Sequence, residues 1–161
     1  MTPATTTQTD LAPSHPLLRI MYSSVMPLAL DERELNQLLV QSAASNEREG
    51  ITGVLMVDQT LCIQFFAGPE SAVKALWHRI SDDRRHHLLV QLYEESGMQT
   101  RLFGQWAMLR GKASRVEMLS LIRNAHAQNQ TEPRPAWSLA IAPLVILLDP
   151  QYNQAYAQAT V

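Results

Sequence analysis

Apolar residues recur along this 161-residue chain with two periods, and the switches between them lay out its elements. Leu17–Ser24 (LLRIMYSS) puts Leu18, Ile20, Tyr22 and Ser24 at every second position, the repeat of a strand, and Pro27 ends it. Asp31 followed by Glu34 makes a capping-box start; Leu35, Leu38, Leu39 and Ser42 then take one-face helical spacing, with a stop near Gly50. Ile51–Val57 (ITGVLMV) reads as a buried strand, Asp58-Gln59-Thr60 as a turn, and Leu61–Ala67 as the hairpin partner. Gly68-Pro69-Glu70 opens a second helix, with Pro69 at its first helical position and Val73, Leu76, Trp77 and Ile80 as its core stripe. Leu88–Glu94 predicts a fourth strand and Phe103–Leu109 a short fifth.

The order β-α-β-β-α-β-β predicts an α+β, ferredoxin-like sandwich with two helices on one face of a mixed sheet. A C-terminal helical extension follows Gly111, where Ser114 and Glu117 form another capping box before a helix carrying Met118, Leu119, Leu121 and Ile122. Thr131–Pro135 is a linker. Trp137–Leu148 is apolar on too many sides to stand alone in water, and is expected to cover the open sheet face or meet another subunit. Residues 1–16, rich in Thr, Pro and Ala, read as a disordered leader. The expected division is thus a leader at 1–16, a folded domain at 17–111, and an extension and tail at 112–161.

A composition that is 46% hydrophobic and 17% charged supports one real core. The net charge of −2 argues against gripping nucleic acid by bulk charge. No run reaches the ~18 apolar residues of a membrane span; a cytoplasmic protein is expected. Cys62, the single cysteine, excludes an intrachain disulfide and any thiolate metal cluster. His78, His86 and His87 cluster near the end of the second helix without supporting metal ligands, so no metal is expected. Walker loop, GxGxxG, nucleophile elbow and HExxH are all missing from the sequence.

Uncharged polar groups in apolar settings stand out instead. Gln64 shares a strand face with Cys62 and Phe66, while Leu61, Ile63 and Phe65 line the other, so neither face belongs to solvent. Such an amide needs a hydrogen-bond partner or costs roughly 1–3 kcal/mol. Tyr22 lies mid-strand, and Asn46 lies at the end of the first helix. Taken singly, each is satisfied by a local capping or core role. In a ferredoxin-like fold the three converge beneath the helices, and Leu38 and Ile80 would flank a slot for a flat heterocycle.

These stretches closely resemble the BLUF family of FAD-using blue-light sensors. The matching segments are RIMYSS with Tyr22, SNEREGITGVLMV with Asn46, LCIQFFAGP with Gln64, ALWHRISDDRRH with Arg79, Ile80 and Asp83, and FGQWAM with Trp106 and Met108. The sequence departs from the family pattern at Ser45, Ala67 and Arg84. The resemblance implies that FAD enters between the two helices, perpendicular to the sheet. Gln64 would then link Tyr22 to the flavin, Asn46 would bond the polar ring edge, and Leu38 and Ile80 would sandwich the ring. Arg79 and Asp83, read as one helical turn apart, would serve the far carbonyl, and Ser45, Arg85 and His86 complete the implied set.

The implied mechanism is photochemistry without net reaction, so no enzyme. Tyr22 gives up an electron and then a proton through Gln64, recombination follows, and Gln64 is left rotated or tautomerised. Trp106 and Met108 would carry the change outward. The helix from Ser114 and Ala136–Leu148 are expected to form a homo-oligomer or downstream-partner surface, with no direct nucleic-acid or membrane contact. The alternative is an interaction module of the same fold that has lost flavin and photoactivity; a flavin-dependent enzyme is a third reading, for which no substrate-binding segment is found.

Overall fold

The computed structural model describes residues 16–98 and 107–130. In chain order these form β1 (Leu17–Val25), α1 (Glu32–Glu49), β2 (Thr52–Asp58), β3 (Leu61–Pro69), α2 (Glu70–Asp82), β4 (His87–Met98), β5 (Leu109–Arg110) and α3 (Arg115–Asn129). The leader, Trp106, the linker Thr131–Pro135 and Trp137–Leu148 lie outside the described residues, apart from Pro16. The sheet order is β4-β1-β3-β2-β5, antiparallel except for the parallel β2–β5 pair. This is the expected ferredoxin-like arrangement with one strand added beside β2.

Period two sorts the two faces. Leu18, Ile20 and Tyr22 of β1 and Phe66 of β3 cluster with Ile51 and with Val73 of α2. Leu55 and Cys62 pack with Met26 and with Leu35 of α1. Met21, Val54, Met56, Leu61, Ile63 and Phe65 point the other way. Helices α1 and α2 therefore share one face, as expected. The opposite face is covered by α3, which buries Met118, Leu121 and Ala125 at spacings of three and four residues. The apolar stripe of the Ser114 helix thus packs on the chain's own sheet, while Ala136–Leu148, the other part of the expected association surface, lies outside the described residues. Of its large apolar residues, Val116 and Leu119 point outward.

Local chemistry fixes the helix limits. The backbone N–H of Glu34 donates to Asp31 Oδ1 at 2.7 Å and that of Asp31 donates to Glu34 Oε2 at 2.9 Å, the reciprocal capping box. Gly50 ends α1 in the left-handed region (φ 69°), which only glycine enters without strain. The same box recurs at Ser114 and Glu117 before α3.

Some boundaries differ from the sequence reading. Pro69 is the residue before the helix rather than its first, because it still pairs with Leu17 in the β1–β3 ladder. Strand β4 runs well past Glu94 as an edge strand, where charged Glu94 and Glu95 are tolerated, and bulges relieve its register against β1. Of the fifth strand expected over Phe103–Leu109, residues 103–106 lie outside the described residues; Ala107 and Met108 lie in a bend, and Leu109 and Arg110 pair with Val54 and Leu55.

Candidate functional site

Tyr22 and Gln64 are directly opposed in the β1–β3 ladder, on the helix-covered face. The Tyr22 hydroxyl donates to Gln64 Oε1 at 2.5 Å, so the partner that the buried amide requires is a phenol. The other end of the amide is less well served. Among the described residues, Gln64 Nε2 meets only the Met108 thioether, at 4.0 Å and with weak acceptor power. Gly53 of β2 lies opposite Phe66, and a Cβ there would sit 2.4 Å from the Phe65 carbonyl oxygen, so only glycine permits β2 to lie this close to β3.

Above the pair, between α1 and α2, lies a cavity of about 270 Å³. It adjoins a hollow of about 310 Å³ under the β1–α1 loop, sharing Met26, Leu38, Arg85 and His86 with it. Together they fall within the roughly 300–1,000 Å³ usual for small-molecule sites. Tyr22, Leu38, Ser45, Asn46, Gln64, Arg79, Ile80, Asp83, Arg85 and His86 all line the cavity. The structure thus brings together every described residue assigned to cofactor binding in the sequence. Met108 reaches the site through Gln64, and Trp106 lies outside the described residues. Asn46 Nδ2 donates to the Ala107 carbonyl at 2.9 Å, so the bend before β5 touches both amides.

Arg79 and Asp83 are not a helical pair. Helix α2 ends at Asp82 and Asp83 is extended (φ −77°, ψ 113°), so their common cavity depends on the turn rather than on helical spacing. Arg79 instead reaches across to Glu49 of α1 at 3.1 Å, bridging the two helices. Gln41, Ser42 and Cys62 are lining residues that the assigned set omits. Two of them had a signal: Ser42 lies on the Leu35–Leu38 face, and Cys62 shares the parity of Gln64. The histidines diverge: His78 faces Asp82, while His86 Nδ1 bonds Ser24 Oγ at 2.7 Å. Among the described residues no group of metal-ligating side chains gathers.

Charge at the site follows burial. Desolvation pushes the Tyr22 phenol well above its ordinary 10.0, assisted by Cys62 and Asp83, so it stays protonated. Burial likewise lifts the Cys62 thiol to about 12. At the rim, hydrogen bonds from Arg85 hold the Asp83 carboxyl down at about 2, against the opposing effect of desolvation. A depressed carboxylate adds stability that is complete above its ordinary 3.8 and fades as pH falls through about 2. Thermal melts between those limits are therefore expected to lose more stability in the parent chain than in Asp83→Asn. Equal slopes would show that the Asp83–Arg85 pair adds nothing.

The residues suit a flavin. A donor-hungry carbonyl or ring nitrogen is what Gln64 Nε2 lacks, aliphatic Leu38, Leu76 and Ile80 give walls for a flat ring, and Asn46, Ser45 and Arg79 give a polar edge. Comparison with known proteins agrees. The family model for BLUF, "Sensors of blue-light using FAD", matches residues 17–109, more than half of the chain. The solved structure of BlrB, a BLUF protein in its dark state, is 26% identical with a TM-score of 0.60, covering 90% of this chain and 98% of that one. A bacterial light-regulated adenylyl cyclase is 25% identical with a TM-score of 0.59; the match covers 83% of this chain but only 41% of the cyclase. Klebsiella pneumoniae BlrP1, solved with FMN and cyclic diGMP, shares the fold at 23% identity and a TM-score of 0.55, over 78% of this chain and 34% of that one. No curated protein matches the chain. Among the described residues, no helix is long and apolar enough to cross a membrane.

Proposed function

The chain belongs to the BLUF family, and from that premise we propose that it is a blue-light photoreceptor, not an enzyme, holding FAD between α1 and α2. The observation that carries this reading is the Tyr22–Gln64 hydrogen bond at the cavity floor. FAD is preferred to FMN because the family description specifies it, although BlrP1 was solved with FMN. Leu38 and Ile80 clasp the ring, Asn46 and Ser45 serve one polar edge, and Arg79, Asp83, Arg85 and His86 the other.

When bound, the flavin supplies absorption of blue light and, once excited, the power to oxidise a nearby phenol. With the flavin bound, Tyr22, held neutral by burial, would be the phenol it oxidises, and its proton would move along the bond to Gln64 Oε1 and return by the same path. Gln64 suits this role because an amide has an acceptor at one end and a donor at the other; rotation or tautomerisation exchanges what it presents. Its donor end touches Met108, so the change passes to the bend at Ala107–Met108, which Asn46 also grips, and on to β5. Trp106 precedes that bend and is assigned to the same output. The signal is read by protein contact, through a second copy of this chain or a downstream partner. The light-regulated cyclase carries a domain of this fold within a longer chain.

An absorption spectrum of the purified chain, before and after blue light, tests this directly. A flavin spectrum that shifts red and returns in the dark is expected. Well-folded protein that stays colourless after reconstitution with FAD would overturn it, and turnover with NAD(P)H or oxygen would favour an enzyme.

A further inference from the structure

The cavity between α1 and α2 is lined by a stripe from each helix, with Ser42, Ser45 and Asn46 from α1 and Leu76, Arg79 and Ile80 from α2. Glu49 follows Ser45 by four residues and Asn46 by three, so it continues the α1 stripe by one turn. There Arg79 Nη2 donates to both Glu49 carboxylate oxygens, each at 3.1 Å. Among the described residues this is the ion pair that joins α1 to α2. Three of the others are local to α2 or to the turn after it, and Arg110–Glu32 ties β5 to α1. The two lining stripes are thus bridged where both helices end, since Glu49 closes α1 and Arg79 lies in the last turn of α2.

The two ends of the bridge differ in freedom. Backbone fixes the Glu49 end: the Ile51 N–H donates to the Asn46 carbonyl at 2.8 Å, and a Cβ on Gly68 would come within 2.9 Å of the Gly50 carbonyl oxygen, so the end of α1 lies tight against β3. Arg79 holds its end by a long side chain that is 53% exposed, against 29% for Glu49. Unfastening therefore needs only a rotation of Arg79 and no shift of α1. A carboxylate in the last turn also meets the negative end of the helix dipole, so α1 itself gains nothing from an acid at position 49. Its partner across the slot is what offsets that cost.

We propose that Glu49 and Arg79 form a strap across the slot between α1 and α2, which keeps the bound flavin in and has to open for it to leave. This rests on the reading above that flavin lies between those helices. Glu49 does not line the cavity; it is a positioning residue that acts through Arg79. A half-exposed ion pair is weak in water and screened by salt. That suits a strap that must open, because it slows exchange of the cofactor without sealing the site.

The test is release of FAD from the loaded full chain in the dark, the freed FAD being trapped by an excess of an apo-flavoenzyme that regains activity on taking it up. At low salt, Glu49→Gln and Arg79→Met should each release FAD about fivefold faster than the parent chain. The double variant should be no faster than either, because the two side chains act as one unit. Arg79→Lys, which keeps the charge, should stay within about twofold of the parent. Raising salt from about 0.02 to 1 M should close the gap between parent and variants. FAD is an anion, so loss of the Glu49 charge by itself would slow its escape; faster escape marks the strap and not bulk charge. The flavin spectrum and red shift of loaded Glu49→Gln should match the parent's, which a displaced helix would not allow. Equal release from Glu49→Gln and the parent at low salt, a double variant faster than both singles, or an altered flavin spectrum in Glu49→Gln overturns the strap alone. A parent chain that takes up no FAD overturns it together with the photoreceptor reading.

Discussion

Tyr22→Phe is expected to retain flavin and lose the light-induced red shift completely. The substitution removes one oxygen and leaves the ring where it packs, edge-on to Phe66 at 6.2 Å and tilted on Trp77 at 5.4 Å. The cavity walls are untouched, so binding should survive. What disappears is the donor to Gln64 Oε1 and, with it, both the oxidisable phenol and the path for its proton. The amide oxygen left without its buried partner costs about 1–3 kcal/mol, a modest loss beside the total stability of a domain. Gln64→Leu removes the same link from the other side and should also keep colour without switching. Gln64→Glu is a sharper control: an ionised carboxylate only accepts, so it cannot exchange donor for acceptor. Spectra before and after illumination decide the matter, and a normal photocycle in Tyr22→Phe would refute the role assigned to this hydroxyl.

Much of this site was legible because strand parity and helical spacing are properties of sequence alone. Tyr22, Gln64 and Asn46 stand out as polar groups on apolar faces, and the ferredoxin-like order brings their elements together. What parity does not reveal is the far partner of a buried stripe. Met118, Leu121 and Ala125 mark α3 as buried on one side, but whether against its own sheet or another chain depends on the length and direction of the Gly111–Ser114 connection. The fifth strand was expected over Phe103–Leu109, of which residues 103–106 lie outside the described residues. Its described part is a two-residue bridge, Leu109–Arg110, set by pairing with β2, and a bridge that short carries no period of its own to read. The misplacement of Asp83 came from extending helical spacing one residue too far. Its pairing with Arg85 draws it out of the helix and, with the turn, still turns it to the cavity. That Cys62 shares the face of Gln64 is legible from parity, but that it stands opposite Ser24 is set by the β1–β3 register, which sequence alone does not give.

The same parity gives residues 64 and 65 opposite phenotypes. Phe65→Ala is expected to lose about 3–5 kcal/mol of stability, the cost of a fully enclosed phenyl ring plus the void it leaves. Phe65 is 0% exposed and lies opposite Met21 on one side and Val54 on the other, within the layer that α3 seals. The surrounding backbone is a sheet pinned on both sides, so it cannot collapse into the gap and the cavity term should be large. For a chain of this length the loss lowers the melting temperature by on the order of 10 °C. Yet the ring points away from the flavin cavity, so the folded fraction of Phe65→Ala, kept cold, should still shift red under blue light. Gln64→Leu, one residue earlier, should do the reverse: only the about 1–3 kcal/mol of one buried hydrogen bond lost in a denaturant or thermal melt, everything lost in the light response. Finding the Phe65→Ala loss below about 1 kcal/mol would mean that the α3-covered face is not the packed layer described. Finding its photocycle abolished at a temperature where it is fully folded would mean that the two faces of β3 do not act separately.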